Sequence, residues 1–517
     1  MIIERIVEGR TIFMKEVINK LADTKISTSY LFILLGVCAL MMTGYFSYAW
    51  FTVQGVQQYS VVTGNLSGSI TIGANSVAIE GAGTISYTPA TDSETVTITV
   101  TNSSDRTVKN SIYYYTLSDS SIEIGYTSDS PTIPTVEGVS VEKGKTLTYK
   151  IKINSSKGKA VKIGSSMGLS NSNLTLLNGT TAFSLLKDPT GAETLIAKAN
   201  PETLDYNTAI TDQKNQMWTF THEETEQLGA TTDYRYIGAN PNNYVKFNDE
   251  LWRIIGVFDV DDGTGKIEKR MKIVRNESIG NYSWDNKNTS TGAENDYGKN
   301  NWSDARLNYL LNPGHESEAY GGSLYWNRKS GTCYYGQNNA TKSCDFTSTG
   351  LTDEAKAMIG DAKWYLGGTS SSNSSSNGLA SHYYKNERGT VVYNSSRSTN
   401  WTGKVGLMYP SDYGYATSGG NSTNRASCMA KELFNWNDSS YSDCKNNDWL
   451  YNSSSSQWTM SPRADNSNNV FIVDDKGCVS SYIANFSYFV VSPVVHLKST
   501  IKITSGTGSS TDPFILG

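Results

Sequence analysis

From about Thr52 to Lys162 the chain alternates apolar and polar side chains with period two. "SGSITIGA", "GTISYTPA", "TVTITVTNSS", "NSIYYYTLS", "SIEIGYTS" and "LTYKIKINSS" each read as a strand. In "TVTITVTNSS", Val96, Ile98 and Val100 fall on one face and threonines on the other, the pattern of a half-buried strand. Turn clusters such as "NSSD", "SDSS" and "EKGK" separate the runs. Short strands at this spacing, without a helical period, predict an Ig-like β-sandwich over residues 52–165. It carries no catalytic or metal-ligating constellation, so a stalk or fibre module is expected.

Residues 166–215 form a turn-rich stretch that reads as a connector. From Gln216 the pattern changes: Trp, Tyr and Arg become frequent and helical periods appear. "YVKFNDELWRIIGVFDVDDGTGKIEKRMKIVRN" predicts three strands that turn at Asn248-Asp249 and at Asp262-Gly263. "WSDARLNYLLN" predicts a helix capped by Ser303, with Leu307, Leu310 and Leu311 inward. "TDEAKAMIGDAKWYLGG" predicts another, capped by Thr352 and closed by Gly367, with Ala355, Met358, Ile359 and Ala362 as its core stripe. "RASCMAKELFNW" is a third helical candidate, and "GGTSSSNSSSNG" a low-complexity loop. The stretch 457–499 predicts two strands joined by the turn Asp474-Asp475-Lys476-Gly477, with a polar loop from Arg463 to Asn469 ahead of them. The whole of 216–517 is expected to be one α+β domain, so the chain is mainly β with an α+β second domain.

The apolar run at 30–50, "YLFILLGVCALMMTGYFSYAW", carries no charge. Two readings stay open: a signal peptide cleaved after Ser47-Tyr48-Ala49, or a membrane anchor of about 20 residues. Residues 1–29 would be the cytoplasmic or n-region, and Met14 is an alternative start. Both readings place the remainder outside the cell.

Composition agrees with export. Of 517 residues only 18% are charged, the formal charge is -5, and Tyr occurs 32 times. The absence of a basic stripe argues against nucleic acid. Five of the six cysteines follow residue 330. Short loops cost little entropy to close, which favours Cys333–Cys344 and Cys428–Cys444 and leaves Cys478 as a buried small hydrophobe. The cysteine spacing fits no zinc site.

Two resemblances are carried by motifs. The leader ending "YFSYAWFT", then "VTGNLSGSITI" and "ETVTITVTNSS", resembles the camelysin/TasA-like surface and biofilm-fibre proteins of Gram-positive bacteria. The ordered set "LWRIIG", "NWSDARLNYLLN", "GLMYPSDYGYA", "WTMSPR", "GCVSS" and "SPVVHL" is similar to bacterial surface domains of unassigned function. Those resemble the C-type-lectin-like fold of formylglycine-generating enzymes and diversified receptor proteins. This likeness implies a C-type-lectin-like second domain. Where such domains carry Arg-Pro near the end, this chain has Ser492-Pro493.

For catalysis the residues offer little. His222 in "THEETEQ" reads as a solvated turn or helix start, and His496 as a residue on the other face of a strand from Val495 and Leu497. His315 and His382 lack a partner at ligand spacing. The cofactor expectation is none; calcium is the one metal for which weak signals exist. "DVDDGTG" lacks EF-hand spacing, and Trp436-Asn437-Asp438 lacks the companion motif of calcium-dependent lectins. The expectation is therefore a non-catalytic, exported bacterial surface protein for adhesion or ligand recognition, with a glycan or a surface protein as partner. Its ligand would meet Trp458, Arg463, Asp465, Asn466, Asn468, Asn469, Tyr482, Asn485 and Tyr488, where rings supply area and amides supply hydrogen bonds. Trp458 serves equally as core. The rivals are a structural matrix or fibre protein and an enzyme of the formylglycine-generating type.

Overall fold

The computed structural model describes residues 66–115, 122–154, 159–169, 174, 179–186, 189–200, 217–369 and 378–517. The apolar run at 30–50 lies outside them. No helix among the described residues is long and apolar enough to cross a membrane. The fold is mainly β, and the chain divides into two compact units, Met1–Lys187 and Asp188–Gly517.

The first unit builds two antiparallel layers. One orders the strands Thr180–Ala182, Val108–Tyr115, Val161–Gly168 and Ala82–Tyr87, with Val139–Val141 also on Val108–Tyr115. The other orders Asn75–Glu80, Ser67–Ile72, Ser93–Asn102, Thr146–Asn154 and Glu123–Tyr126. The pairing of Glu80 with Ala82 joins the layers where the chain turns through Gly81 at φ 80°. Ile70, Ile98, Val100, Ile151 and Ile163 fill the space between them, as the period-two pattern requires. Asn110 lies in this core, and its side chain bonds Tyr149 and Ser165, so the buried amide is satisfied.

The boundary falls inside the stretch expected as a connector. Thr180–Ala182 completes the first unit's sheet, whereas the helix Gly191–Ile196 belongs to the second unit, where the Gly191 N–H donates to Ile501 O at 2.7 Å.

The second unit is organised on Glu250–Asp261, a 12-residue strand paired on one side with Ile267–Arg275. On the other side it meets Tyr244–Phe247 near its start and Thr231–Tyr236 further along. A bulge between Ile254 and Gly256 accommodates both. Gly256 is required there, because a Cβ would lie 2.2 Å from Tyr234 O. Asn248 and Asp249 make the predicted turn, both with positive φ. Val494–His496 and Val405–Gly406 extend the sheet on the Ile267–Arg275 side. Phe514–Leu516 adds in parallel to Tyr244–Phe247.

The helices are shorter than expected. Arg306–Leu311 starts after a 3-10 turn, Trp302–Asp304, and its N-cap is Ala305, so Ser303 is not the cap. Thr352 does cap its helix, accepting from Ala355 N at 3.1 Å, but the helix ends at Met358. Ala362–Tyr365 beyond it is a strand paired with Asn400–Gly403, so Gly367 closes no helix. "RASCMAKELFNW" becomes the helix Arg425–Met429 followed by a 3-10 turn, Leu433–Asn437. Both expected disulfides form, with Cα–Cα distances of 5.9 Å for Cys333–Cys344 and 5.5 Å for Cys428–Cys444.

Candidate recognition surface

The 457–490 stretch folds as a three-stranded antiparallel sheet, Gln457–Pro462, Asn469–Val473 and Val479–Ile483. Gly477, at φ 82°, supports the turn between the last two. Alternation along Val479–Ile483 splits the expected ligand residues between two faces. On one face Ser481 Oγ accepts from Arg463 Nη1 at 3.2 Å. Tyr482 is on the other, packed against Phe486 and Phe489 with ring centroids at 4.4 and 5.4 Å.

Trp458 is core and meets no ligand: it is 2% exposed, donates Nε1–H to Tyr282 O at 2.9 Å, and packs edge-on against Phe489. Asn468 and Asn485 are also buried, which removes them from a contact surface. Asn485 Nδ2 donates to Asp296 O at 2.8 Å. Asn469 is a strand residue paired with Ile483. Tyr482 and Tyr488 are exposed, Tyr488 at 68%, and with Phe486 they form a small aromatic patch.

What remains is the loop Arg463–Asn466, and its main chain is held from beneath. Asn300 Nδ2 lies 3.0, 2.9 and 3.0 Å from the carbonyls of Arg463, Asn466 and Asn469, so its two hydrogens are shared among three acceptors. Arg397 Nε donates to Asn300 Oδ1 at 3.1 Å and fixes that amide's orientation. The same guanidinium donates to Ser467 O at 3.0 Å and forks onto Glu294 at 2.8 and 2.9 Å. Within the loop, Asn466 Oδ1 accepts from the N–H groups of Asn468 and Asn469, and Arg463 Nε donates to Asp465 Oδ1 at 2.8 Å. Asp465 is exposed. Beside the loop runs a narrow crevice lined by Asn301, Val392, Tyr393, Ser398 and Arg463, with room for about one water. It is a surface for contact rather than a pocket for enclosure.

The second unit also buries a network of charges that sequence reasoning missed. Asp412 sits at the third position of the helix Pro410–Ala416, where it accepts from Tyr409 N at 2.8 Å. Its carboxylate also takes Arg235 Nη1 at 2.9 Å and the Lys272 ammonium. Arg235 bonds Asp233, which His222 Nε2 approaches at 3.0 Å. Arg388 pairs with Glu387, whose other contacts are the N–H and hydroxyl of Ser411. His222 is therefore no solvated turn: it lies on the strand Met217–His222, 8% exposed and stacked on Tyr384 at 3.7 Å. His496 is buried like Val495 and Leu497, with its ring 4.9 Å from Trp364. The visible signal was charge inside apolar runs, as at Lys272 in "RMKIVR". Burial lowers the pKa of both imidazoles, only partly offset at His222 by Asp233. Burial also works to raise Asp412, but Lys272 and Arg235 more than offset it and hold the carboxyl below its ordinary range. Every member is buried, and the network ties strands and helices of the second unit together.

Cys478 is 4% exposed, and its thiol donates to Asp474 Oδ2 at 2.9 Å. Burial and then the Asp474 carboxylate push its pKa up to about 12. That is the opposite of an activated thiolate. Among the described residues no group of three His, Cys, Asp or Glu side chains is placed to hold a metal, and Trp436 of the Trp-Asn-Asp run is fully buried. Comparison with protein-family models, with curated proteins and with solved structures finds no match to this chain.

Proposed function

We propose that this is an exported bacterial surface protein whose second unit recognises an extracellular ligand without chemistry, through the loop Arg463–Asn466 and the neighbouring Tyr393. The observation that carries the reading is the support beneath the loop. Asn300 bonds the carbonyls of Arg463 and Asn466 and is itself oriented by Arg397, so Asp465 stands exposed on a braced loop with half-buried Arg463 and Asn466 beside it. Loops fixed on a rigid scaffold lose little entropy on binding, which is how modest polar surfaces reach useful affinity. In this reading the first unit is an Ig-like stalk and the second a C-type-lectin-like domain, as the motif resemblances imply. The residues 30–50 serve export or anchoring.

A glycan array probed with the full chain tests the proposal. Binding that is specific and falls about tenfold on Arg463→Ala supports it. A silent array together with fibres assembled by the protein sinks it in favour of a matrix role.

A further inference from the structure

Several buried cations of the second unit have counter-ions. Arg235, Lys272, Arg275, Arg388 and Arg397 each meet a carboxylate. Arg253 does not. It is 9% exposed, and no carboxylate among the described residues lies within ion-pair distance of it. Its guanidinium is sandwiched between the rings of Tyr244, at 4.4 Å, and Trp449, at 4.5 Å. Nε donates to Asn243 Oδ1 at 2.9 Å and Nη2 reaches Pro241 O at 3.4 Å, while Nη1 has no acceptor among the described residues. The rings and the turn fix the group's plane but do not neutralise its charge. Burial lowers its pKa to about 10, still charged at neutral pH.

Arg253 lines an open cleft of about 340 Å³, at the end of the strand Gln457–Pro462 away from the Arg463 loop. That volume is within the range of small-ligand sites. Its other walls are rich in amides and hydroxyls, Asn276, Asn452, Ser453, Gln457 and Ser492, beside the rings of Trp449 and Tyr451, and carry one carboxylate, Glu277, which accepts from Asn276 Nδ2 at 2.9 Å. Arg275, also in the wall, is occupied by Glu250 and by the carbonyls of Glu277 and Ser278. An anion entering the cleft would meet Arg253 as the cation without a counter-charge, and a hydroxylated body would meet hydrogen-bonding groups. We propose that this cleft is a second binding site, for an acidic sugar whose carboxylate pairs with Arg253 and whose hydroxyls meet the amide and hydroxyl wall.

The test is calorimetric titration of the full chain with glucuronate, glucose and acetate. Glucuronate is expected to bind with a Kd of about 1 mM or tighter, and glucose and acetate at least about tenfold more weakly. Arg253→Met should abolish the glucuronate signal. Should that variant fail to fold, Ser453→Asp, exposed at the cleft, places a negative charge beside the site and should weaken glucuronate about tenfold. Glu277→Gln, which removes a carboxylate from the wall, should strengthen it. Acetate binding as tightly as glucuronate would overturn the sugar assignment, and glucose doing so would overturn the role of Arg253. No heat with glucuronate at about 10 mM, or binding unmoved by the Arg253 and Ser453 changes, would overturn the site altogether. Arg463→Ala should leave glucuronate binding unchanged, which separates this site from the loop surface.

Discussion

Asp412 shows how much one side chain can organise. It closes the first turn of its helix and pairs with two cations from two different strands. The substitution Asp412→Asn keeps the shape but leaves Arg235 and Lys272 short of a counter-charge. Breaking one partner of a buried pair costs about 3–5 kcal/mol, so urea denaturation should show a loss of that order. An unchanged midpoint would mean that the network contributes nothing to stability. At this scale the sequence was partly legible. The glycine and asparagine turn signals at Asn248-Asp249 and Gly477 were local and correct, because φ > 0 is a property of the residue itself. The charge network was not, because Arg235 and Asp412 are 177 positions apart and nothing local pairs them. His222 was misread for the same reason: its acidic neighbours in the chain suggested solvent, whereas its partners in space are Asp233 and Tyr384.

Among elements, strands were read better than helices. Period-two alternation survived because each strand packs one face on a core. The helical stripe through Ala355, Met358, Ile359 and Ala362 was misleading, since Ala362–Tyr365 finds a strand partner in Asn400–Gly403. The expected ligand stretch was read as one surface, although neighbouring strand residues face opposite ways, and this divided Arg463 from Tyr482. Two predictions belong at this scale. Removing Cys428–Cys444 by paired alanines frees a closure between positions 16 apart and should lower unfolding free energy by about 3 kcal/mol. Arg397→Met should loosen the Arg463–Asn469 loop without unfolding the unit. Hydrogen exchange of the loop amides would then rise while exchange in Glu250–Asp261 stays slow. Uniform acceleration in both would show Arg397 to be a global support rather than a brace for the loop.

For the molecule as a whole, the buried histidines set a pH dependence. His222 and His496 are held neutral by burial, with pKa values below the ordinary range. An unfolded chain protonates histidine near pH 6.5. The unfolded state therefore takes up protons first, and stability should fall as pH drops below about 6.5, by up to about 1.4 kcal/mol per pH unit per histidine. Asp233 and Asp412 act lower: their carboxyls lie below the ordinary range, so their contribution is lost only as pH falls below about 4. Melting temperatures between pH 8 and 5 would check the first window. A His222→Gln/His496→Gln double variant should flatten it, and an unaltered slope would refute the assignment.

The pairing of Phe514–Leu516 with Tyr244–Phe247 bears on the order in which the chain acquires structure. The partners are separated by nearly the whole second unit, so the edge at Tyr244–Phe247 stays open until the last segment arrives. Contacts that distant are slow to form, and an open edge invites pairing with other chains. The two disulfides span only 11 and 16 positions, so each can close as soon as its own loop is complete. Oxidation can therefore run ahead of sheet completion, leaving a covalently pinned intermediate whose edges at Tyr244–Phe247 and Ile267–Arg275 still lack their partners. If the chain leaves the cell N-terminus first, as proposed above, its first unit can fold while the second waits for Phe514–Leu516, and during that interval it would most need protection from its neighbours.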